Sequence, residues 1–481
     1  MSKLRDVRRS IWGFSAYSVL IFGGIAFFLA IRAYGESLVA PVGRGLRNQL
    51  AVGGASDVLW HLLVALAVVV VVGRLLGRLF AYIGQPPVIG EVIGGIMLGP
   101  SLLGQISPDA YQYLLPSTVA PFLGVIAQLG VILYMFLVGL ELNPDSLRGQ
   151  LRATVATAHA SIIVPFTMGA ALSLYLYPRF STSDVPFTSF ALFLGVAMSI
   201  TAFPVLARIL SEQRMTHTKV GTISLTCAAI NDVTAWCLLA FIVGVVQAKA
   251  SSALTIAILT MSFIGFMFIA VRPLAAIMTR YWDRNPSQSG IALTLVGVLL
   301  AALTTEVIGV HAIFGAFLLG AVIPHDSTLA RSLRESLENF VTILLLPAFF
   351  AFTGMRTQVG LVSGWYQWAV CGLIIVVAVV GKFGGTAVAA RATGLNWRHA
   401  AGVGVLMNTR GLMELIVLNI GLDLGVISPT LFTMIVLMAL ATTIMTTPVL
   451  QYLLPQAVSE GRDERFGNRM PVLIRTDEVR I

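Results

Sequence analysis

The chain has 481 residues, of which 57% are hydrophobic and only 11% are charged, with a formal net charge of +9. A soluble domain carries roughly 25% charged residues, and its helices present a polar face to water, so this composition excludes a soluble globular protein. Apolar runs of ~20 residues, enough to cross ~30 Å of hydrocarbon, recur along almost the whole length and predict an all-α polytopic membrane protein.

The first apolar run follows four basic residues and extends from Ile11 to Ile31. A signal peptide would have a shorter apolar region followed by a small-residue cleavage site, whereas this run is ~20 residues long and is followed directly by Arg32. We therefore expect a retained first membrane helix.

Taken in chain order, apolar runs between turn and charge signals predict fourteen membrane helices. They lie near residues 11–32, 58–80, 87–103, 119–140, 152–177, 187–209, 217–246, 252–271, 288–306, 310–326, 339–356, 364–390, 399–422 and 428–452. On this interpretation, 1–57 holds a cytoplasmic segment, an extra helix and an outer loop, 58–454 is the membrane domain, and 455–481 is a short cytoplasmic tail.

The basic residues fix an orientation. If the N-terminus is cytoplasmic, 23 of the 31 lysines and arginines lie inside, six lie outside, and only Lys382 and Arg410 lie at membrane depth. The positive-inside rule requires this asymmetry, so both termini are expected in the cytoplasm and no nucleic-acid partner is implied. Three cysteines inside apolar spans predict neither a disulfide framework nor a thiolate metal site.

Two opposed halves follow from this topology. Helices two to seven (about 58–246) and nine to fourteen (about 288–454) form six-helix halves of opposite orientation, which is the inverted-repeat plan of secondary transporters. The fifth helix of each half is interrupted, by Ser199–Pro204 in the first and by Asn408–Gly411 in the second. A single break is more often a kink, but two at matching positions indicate an ion site.

Asp232 is the strongest functional candidate, because it lies well inside the seventh predicted span. A charge at a helix centre costs at least ~2.5–3.5 kcal/mol on insertion scales. A carboxylate there can hold a bare cation or a proton, and the preceding Asn231 adds a neutral oxygen ligand. The alternative is an aspartate whose ion pair only holds helices together.

Three further charges are supporting candidates. Lys382 can pair with a carboxylate, neutralise a vacant site, or extend to the cytoplasmic face. Arg410 lies in the second break with Glu414 one turn later, and both a local ion pair and a direct transport role remain open. Structural roles are favoured for the remaining polar candidates, which are Glu91, His159, Glu306 and His311.

At this point several motifs resemble those of a known family. They are Gly84–Glu91, Gly99–Gly104, Thr201–Arg208, Asn231–Trp236, Gly315–Gly320, Leu346–Phe350 and Met407–Leu415. Their order resembles the monovalent cation:proton antiporter-2 family, and most closely its plant-type cation/H⁺ exchanger branch, from about residue 58 to 452.

The resemblance implies a thirteen-helix fold, here with one extra N-terminal helix, and a core domain that moves like an elevator against a dimerisation domain. It implies that Asp232 carries cation and proton alternately, with Asn231, Thr201 and Ser199 as further ligands. Lys382 matches a lysine that in some relatives pairs with an acid at the position of Asn231. A single aspartate preceded by asparagine favours electroneutral exchange.

Two departures accompany the resemblance. Glu414 lies two places later than the acid that follows Arg-Gly in glutathione-gated potassium efflux relatives. The chain is also expected to lack the nucleotide-binding regulatory domain of those relatives, since it ends ~30 residues after the last span.

The sequence hypothesis is a homodimeric K⁺ or Na⁺/H⁺ antiporter without a cofactor, in a bacterial inner membrane, with a role in pH homeostasis. A cation channel or leak pathway through the same broken helices is the alternative, and a membrane-embedded sensor is a third class. K⁺ and Na⁺ both take oxygen ligands, so residue spacing does not separate them.

Overall fold

The computed structural model describes residues 22–36, 38, 55–141, 151–216, 218–247, 253–284 and 288–454. Within these ranges every regular element is helical. The α-helices are α1 (Phe22–Gly35), α2 (Ala55–Tyr82), α3 (Pro87–Leu98), α4 (Leu103–Ile106), α5 (Pro108–Leu114), α6 (Ala120–Glu141), α7 (Leu151–Phe180), α8 (Phe187–Ser199), α9 (Phe203–Glu212), α10 (Lys219–Gln247), α11 (Ala253–Phe266), α12 (Arg272–Arg284), α13 (Gln288–Ile308), α14 (Ala312–Val322), α15 (Thr328–Phe340), α16 (Leu346–Arg356), α17 (Gly364–Val379), α18 (Gly385–Ala392), α19 (Trp397–Met407), α20 (Leu412–Asp423) and α21 (Pro429–Leu453).

Three π-helical turns join consecutive helices without interrupting them. Met267–Val271 joins α11 to α12, Val341–Leu345 joins α15 to α16, and Val380–Gly384 joins α17 to α18. The third of these turns contains Lys382, and π turns inside helices are frequent at functional sites.

Eleven helical segments in the described part of the chain are long and apolar enough to cross a membrane, or twelve if the bent pair α19–α20 counts as one span. The shorter apolar helices α1 and α14 lie at the first and tenth predicted spans. The all-α polytopic fold is therefore confirmed, whereas the count of fourteen stays a prediction. Residues 11–21 of the first predicted helix and the tail 455–481 lie outside the described residues.

Some predicted helix ends are wrong. The eighth span, predicted to end at 271, continues as helix to Arg284, and the eleventh, predicted from 339, already begins at Thr328. Hydropathy reports where the apolar surroundings end, whereas a helix ends where its backbone is capped or broken. At Thr328 the preceding Ser327 supplies such a cap, because its Oγ accepts from the Ala330 N–H at 3.1 Å.

The helices pack in two groups. The first helix group contains α2, α3, α6 and α13–α16, and the second contains α7–α10 and α17–α21. The α11–α12 segment lies between them in the chain and packs against α10 on one side and against α13, α14 and α15 on the other.

Close backbone contact holds the first helix group together. A Cβ atom at Gly95 of α3 would lie 2.2 Å from the Phe350 carbonyl oxygen of α16, and one at Gly354 would lie 2.0 Å from the Gly95 backbone. Gly139 of α6 and Gly320 of α14 make the same kind of contact, with distances of 2.3 Å to the facing carbonyl oxygens. Only glycine allows these approaches, and small residues serve this purpose at membrane helix interfaces.

Two interrupted helices cross in the second helix group. α8 ends at Ser199 and α9 begins at Phe203, while α19 ends at Met407 and α20 begins at Leu412 with a bend of 45°. The Ala202 N–H donates to the Thr409 carbonyl at 3.0 Å, so the two breaks are in direct main-chain contact. Both breaks lie where the sequence predicts them.

Candidate ion-binding site

The first break is a short extended segment between two half-helices. Ile200 and Ala202 have extended backbone angles, with φ/ψ of −68°/141° and −89°/92°. Pro204 is the second residue of α9, where its missing N–H leaves no helical hydrogen bond unmade. The proline therefore begins the second half-helix instead of kinking a continuous one, and the break exposes both a carbonyl end and an N–H end at membrane depth.

Two cations from other helices bind the carbonyl end of this break. Arg410 donates to the carbonyls of Ala197 and Met198, both at 2.7 Å, and the Lys382 ammonium donates to the carbonyl of Ser199. These are the last carbonyls of α8, which have no partner within the helix and form the negative end of its dipole. The Ser199 hydroxyl instead donates to Val196 O at 2.9 Å within its own helix.

Lys382 is fully buried, so the alternative in which its side chain extends to the cytoplasmic face is excluded. Its ammonium also donates to the Ser161 carbonyl of α7 at 2.9 Å. Among the described residues, no carboxylate forms a salt bridge with it. In the described part of the chain, Lys382 therefore donates to main-chain carbonyl oxygens and forms no ion pair with an acid.

Asn231 of α10 lies against the hydroxyls of Ser161 and Thr201, with its amide 2.7 Å and 3.3 Å from their oxygens. The hydrogen-bond network favours the orientation in which the amide oxygen of Asn231 faces these two hydroxyls and accepts from them. The amide nitrogen can then donate to the Ala158 and Cys227 carbonyls at 2.9 Å and 3.2 Å. Three side-chain oxygens from α7, α10 and the first break thus converge.

Thr201 connects this cluster to the second break. Its Oγ1 also lies 3.1 Å from the carbonyl oxygen of Met407, the last residue of α19. The predicted ligands Asn231 and Thr201 are therefore brought together at the point where the two interrupted helices cross.

Asp232 lies at the N–H end of the first break. Only 4% of the residue is exposed, and its carboxylate faces the backbone N–H of Phe203, the first residue of α9. A helix N-terminus favours a negative charge. Lys382 is the positive side chain that acts on Asp232 electrostatically, although the two form no ion pair. The break thus places cations at its carbonyl end and a carboxylate at its N–H end.

The second break carries its own ion pair. Arg410 and Glu414 are both fully buried and lie 2.6 Å apart, which matches the local-pair alternative drawn from the sequence. Thr443 of α21 closes the backbone, because its hydroxyl accepts from the Arg410 N–H at 2.9 Å and lies 2.7 Å from the Arg410 carbonyl. Glu414 Oε1 and Asn408 Oδ1 are buried without a hydrogen-bond partner in the described part of the chain.

The remaining polar candidates have local contacts. Glu306 accepts from the Ala312 N–H at 2.9 Å and so caps α14, and His159 Nδ1 lies 2.9 Å from the Val155 carbonyl. Glu91 lies in the second turn of α3, beyond the first turn in which the helix dipole acts most strongly.

Ser161 is a site residue that the sequence analysis missed. It lies in an apolar helix two residues after His159, and its hydroxyl oxygen lies 2.7 Å from Ala158 O of the same helix. A lone serine that bonds to its own helix is a common feature of membrane helices, so it gives only a weak sequence signal.

The comparisons with known proteins agree with this geometry. A family model described as "Sodium/hydrogen exchanger, transmembrane" matches residues 66–454. The chain belongs to this family. The Na⁺/H⁺ antiporter NhaS4 of Synechocystis sp. is 46% identical over 400 residues, which are 82% of this chain and 98% of that protein.

A plant relative and a solved structure extend the comparison. Cation/H⁺ antiporter 20 of Arabidopsis thaliana is 40% identical over 80% of this chain, which spans about half (48%) of the plant protein. The sodium/proton antiporter MjNhaP1 of Methanocaldococcus jannaschii has a TM-score of 0.63 at 14% identity, covering 84% of this chain and 99% of that one. The family and the fold expected from the motifs are therefore confirmed, and the relatives are transporters rather than enzymes.

Proposed function

We propose that this protein exchanges a monovalent cation, Na⁺ or K⁺, for H⁺, with Asp232 binding the cation and the proton in turn. The observation that carries the proposal is a buried carboxylate that faces the start of α9 at the first break, whose Thr201 contacts both Asn231 and the second break. The names of the relatives, Na⁺/H⁺ and cation/H⁺ antiporters, support the same class of activity.

The chemistry of the site supports alternating occupancy. A bare cation needs oxygens that replace its hydration shell, and Asp232, Asn231 and Thr201 offer carboxylate, amide and hydroxyl oxygens. An ionised carboxylate without a partner is very costly to bury, so Asp232 requires either a cation or a proton. Because one occupant excludes the other, each conformational cycle exchanges them.

Electroneutral exchange is part of the proposal. One carboxylate takes one proton or one monovalent cation, and Lys382 remains bound to carbonyls in both states. Exchange rates measured in proteoliposomes at potentials clamped with valinomycin should then be independent of voltage. A rate that changes with the imposed potential would contradict electroneutral exchange and indicate an electrogenic stoichiometry.

The two helix groups support an elevator mechanism. Every proposed ligand lies on α7, α10 or the crossing breaks, all of which belong to the second helix group. That group can therefore move against the first without dismantling the site.

In this scheme the first group serves as the dimerisation domain, and the exposed apolar face of α2, which includes Trp60 and Leu63, supports contact with lipid or a second copy. Mass measurement in detergent tests the homodimer, and reporter fusions test the cytoplasmic location of both termini.

The central experiment uses purified protein in proteoliposomes containing a pH-sensitive dye. Addition of Na⁺ or K⁺ should change the internal pH in wild type, and a concentration series with each cation gives the preference. Asp232→Asn should abolish the response, because an amide cannot exchange a proton for a cation. Asp326→Asn is a matched control, since the Asp326 side chain is 91% exposed.

Unchanged exchange in Asp232→Asn would refute the mechanism. A bilayer recording separates the channel alternative, because a channel passes current far faster than a carrier turns over.

A further inference from the structure

A polar contact joins the two helix groups at the end of the bundle where α16 and α20 terminate. Arg356 of α16 and Asp423 of α20 form an ion pair at 2.6 Å, and Arg356 also donates to Asn419 Oδ1 at 3.2 Å. One turn earlier on each helix, Asn419 Nδ2 donates to Thr353 Oγ1 at 2.9 Å. These four side chains, here called the α16–α20 tie, form two successive rungs between the groups.

The negative charge of the tie is not explained by the helix that carries it. Arg356 ends α16, where a cation complements the helix dipole, but Asp423 ends α20, where a negative charge is unfavourable. Asp423 is therefore stabilised from outside its own helix, by Arg356. The Arg356 guanidinium is held in place by the Phe352 ring, whose centroid lies 4.1 Å away. His311 at the start of α14 also faces Asp423 electrostatically.

The helix held by the tie is the one that leaves the ion site. α20 begins directly after Gly411 in the second break and carries Glu414 near its start. Twelve helical residues at 1.5 Å each place the tie ~18 Å from the break. Below the tie, a gap of about 30 Å³ separates Val131 and Phe352 of the first group from Ile416 of α20.

We propose that Arg356 is a positioning residue for transport: with Asp423, Asn419 and Thr353 it holds α20 against α16, and this tie must break before the ion site opens at that end. With the predicted orientation, this is the outer end. The inference rests on the proposed exchange function, because it assigns the contact a step in that cycle.

Thiol labelling tests the tie without requiring transport. Ile416→Cys places a reporter in the gap, in a Cys237→Ser background because Cys237 is exposed whereas Cys227 and Cys371 are buried. A small, charged, membrane-impermeant methanethiosulfonate is applied from the tie side. Asp423→Asn and Arg356→Gln should each raise the modification rate about 1.5- to 5-fold, the range for a partly exposed ion pair.

The control removes a different ion pair. Arg32 of α1 and Glu36, the residue after α1, lie 2.8 Å apart at the same predicted end, and Glu36→Gln should leave the labelling rate unchanged. If Ile416→Cys does not fold, Val131→Cys reports from the opposite wall of the gap. An equal rate in the tie variants and wild type, or an equal rise in Glu36→Gln, would overturn the proposal.

A charge swap separates positioning from general stability. Arg356→Asp combined with Asp423→Arg should bring labelling part of the way back to the wild-type rate, because it restores the ion pair without the contacts of Arg356 with Asn419 and Phe352. Each single variant should label faster at an unchanged folded fraction. In proteoliposomes, Asp423→Asn should also lower the KM for cation supplied from the tie side about 1.5- to 5-fold, since more molecules are open there. A double variant that labels as fast as the faster single variant would overturn the proposal. Failure of exchange in wild type is distinguishable from failure of the tie, because labelling is measured separately from transport.

Discussion

The two helix breaks cross in space but differ in how their charges are balanced. The first, Ile200–Ala202, contains no charged residue, and its carbonyl end is bound by Lys382 and Arg410 from other helices. The second carries Arg410 and Glu414, which pair with each other, and Thr443 closes its backbone.

On the proposed function, this difference distinguishes the exchanging site at the first break from its structural support at the second. The second break is neutral by itself and needs no ion. The first has a carbonyl end saturated by fixed cations and an N–H end facing Asp232, whose charge has no fixed ion-pair partner in the described part of the chain. A transported ion can therefore neutralise Asp232 while the second break keeps its structure.

Removing the ion pair of the second break should have the largest effect. Arg410→Gln leaves Glu414 without a partner and uncaps two carbonyls of α8, so we expect a loss of ~3–5 kcal/mol in stability, the cost of breaking a buried pair. Thermal unfolding followed by fluorescence-detected size exclusion measures this. Combining it with Glu414→Gln should recover part of the loss. If Arg410→Gln is as stable as wild type, the proposed difference in charge balance between the two breaks is wrong.

Adding an acid to the first break should change its charge balance. Asn231→Asp introduces a second carboxylate beside Ser161 and Thr201, which can take up a second proton. Exchange should then depend on voltage, with up to ~2.3 kcal/mol of driving force per 100 mV for one uncompensated charge. The measurement is the exchange rate against clamped potential, with Asn231→Gln as the uncharged control. Voltage-independent exchange in Asn231→Asp would contradict this account.

Lys382 is expected to oppose cation binding. Two unit charges a few ångströms apart interact by several kcal/mol at an effective dielectric constant of ~20. Lys382→Met should therefore lower the KM for the transported cation by about tenfold after allowance for screening, with a slower turnover. Lys382→Arg keeps the charge and should retain a KM near wild type. A higher KM in Lys382→Met would show that the lysine supports binding instead.

The neutral ligands should have the smallest effects. Ser161→Ala and Thr201→Ala each remove one hydroxyl, and hydrogen bonds between membrane helices average ~0.6 kcal/mol. We expect the KM for cation to rise about threefold in either variant, with no change in voltage dependence. Thr226→Ala on α10 is a control, because that hydroxyl is exposed and bonds within its own helix. Equal effects in all three variants would argue against a ligand role.

The sequence predicts the features of this site that are local in the chain. Both breaks, the position of Asp232 within a span and the Arg410–Glu414 spacing follow from apolar runs and the residues that interrupt them. The contacts of Lys382 with Ser161 and Ser199 join residues 221 and 183 positions apart, so no local pattern contains them. The α16–α20 tie was missed for the same reason, since Arg356 and Asp423 end separate helices and meet only after packing.

The hydrogen bond from Ala202 N–H to Thr409 O has a consequence for how the site tolerates sequence change. Because it uses only main-chain atoms, this hydrogen bond does not depend on the chemistry of the side chain at position 202, although that position is buried and holds a small residue. Proline is the exception, since it lacks that donor. The main-chain contact between the two breaks is thus made independently of the side chains that we propose as ligands.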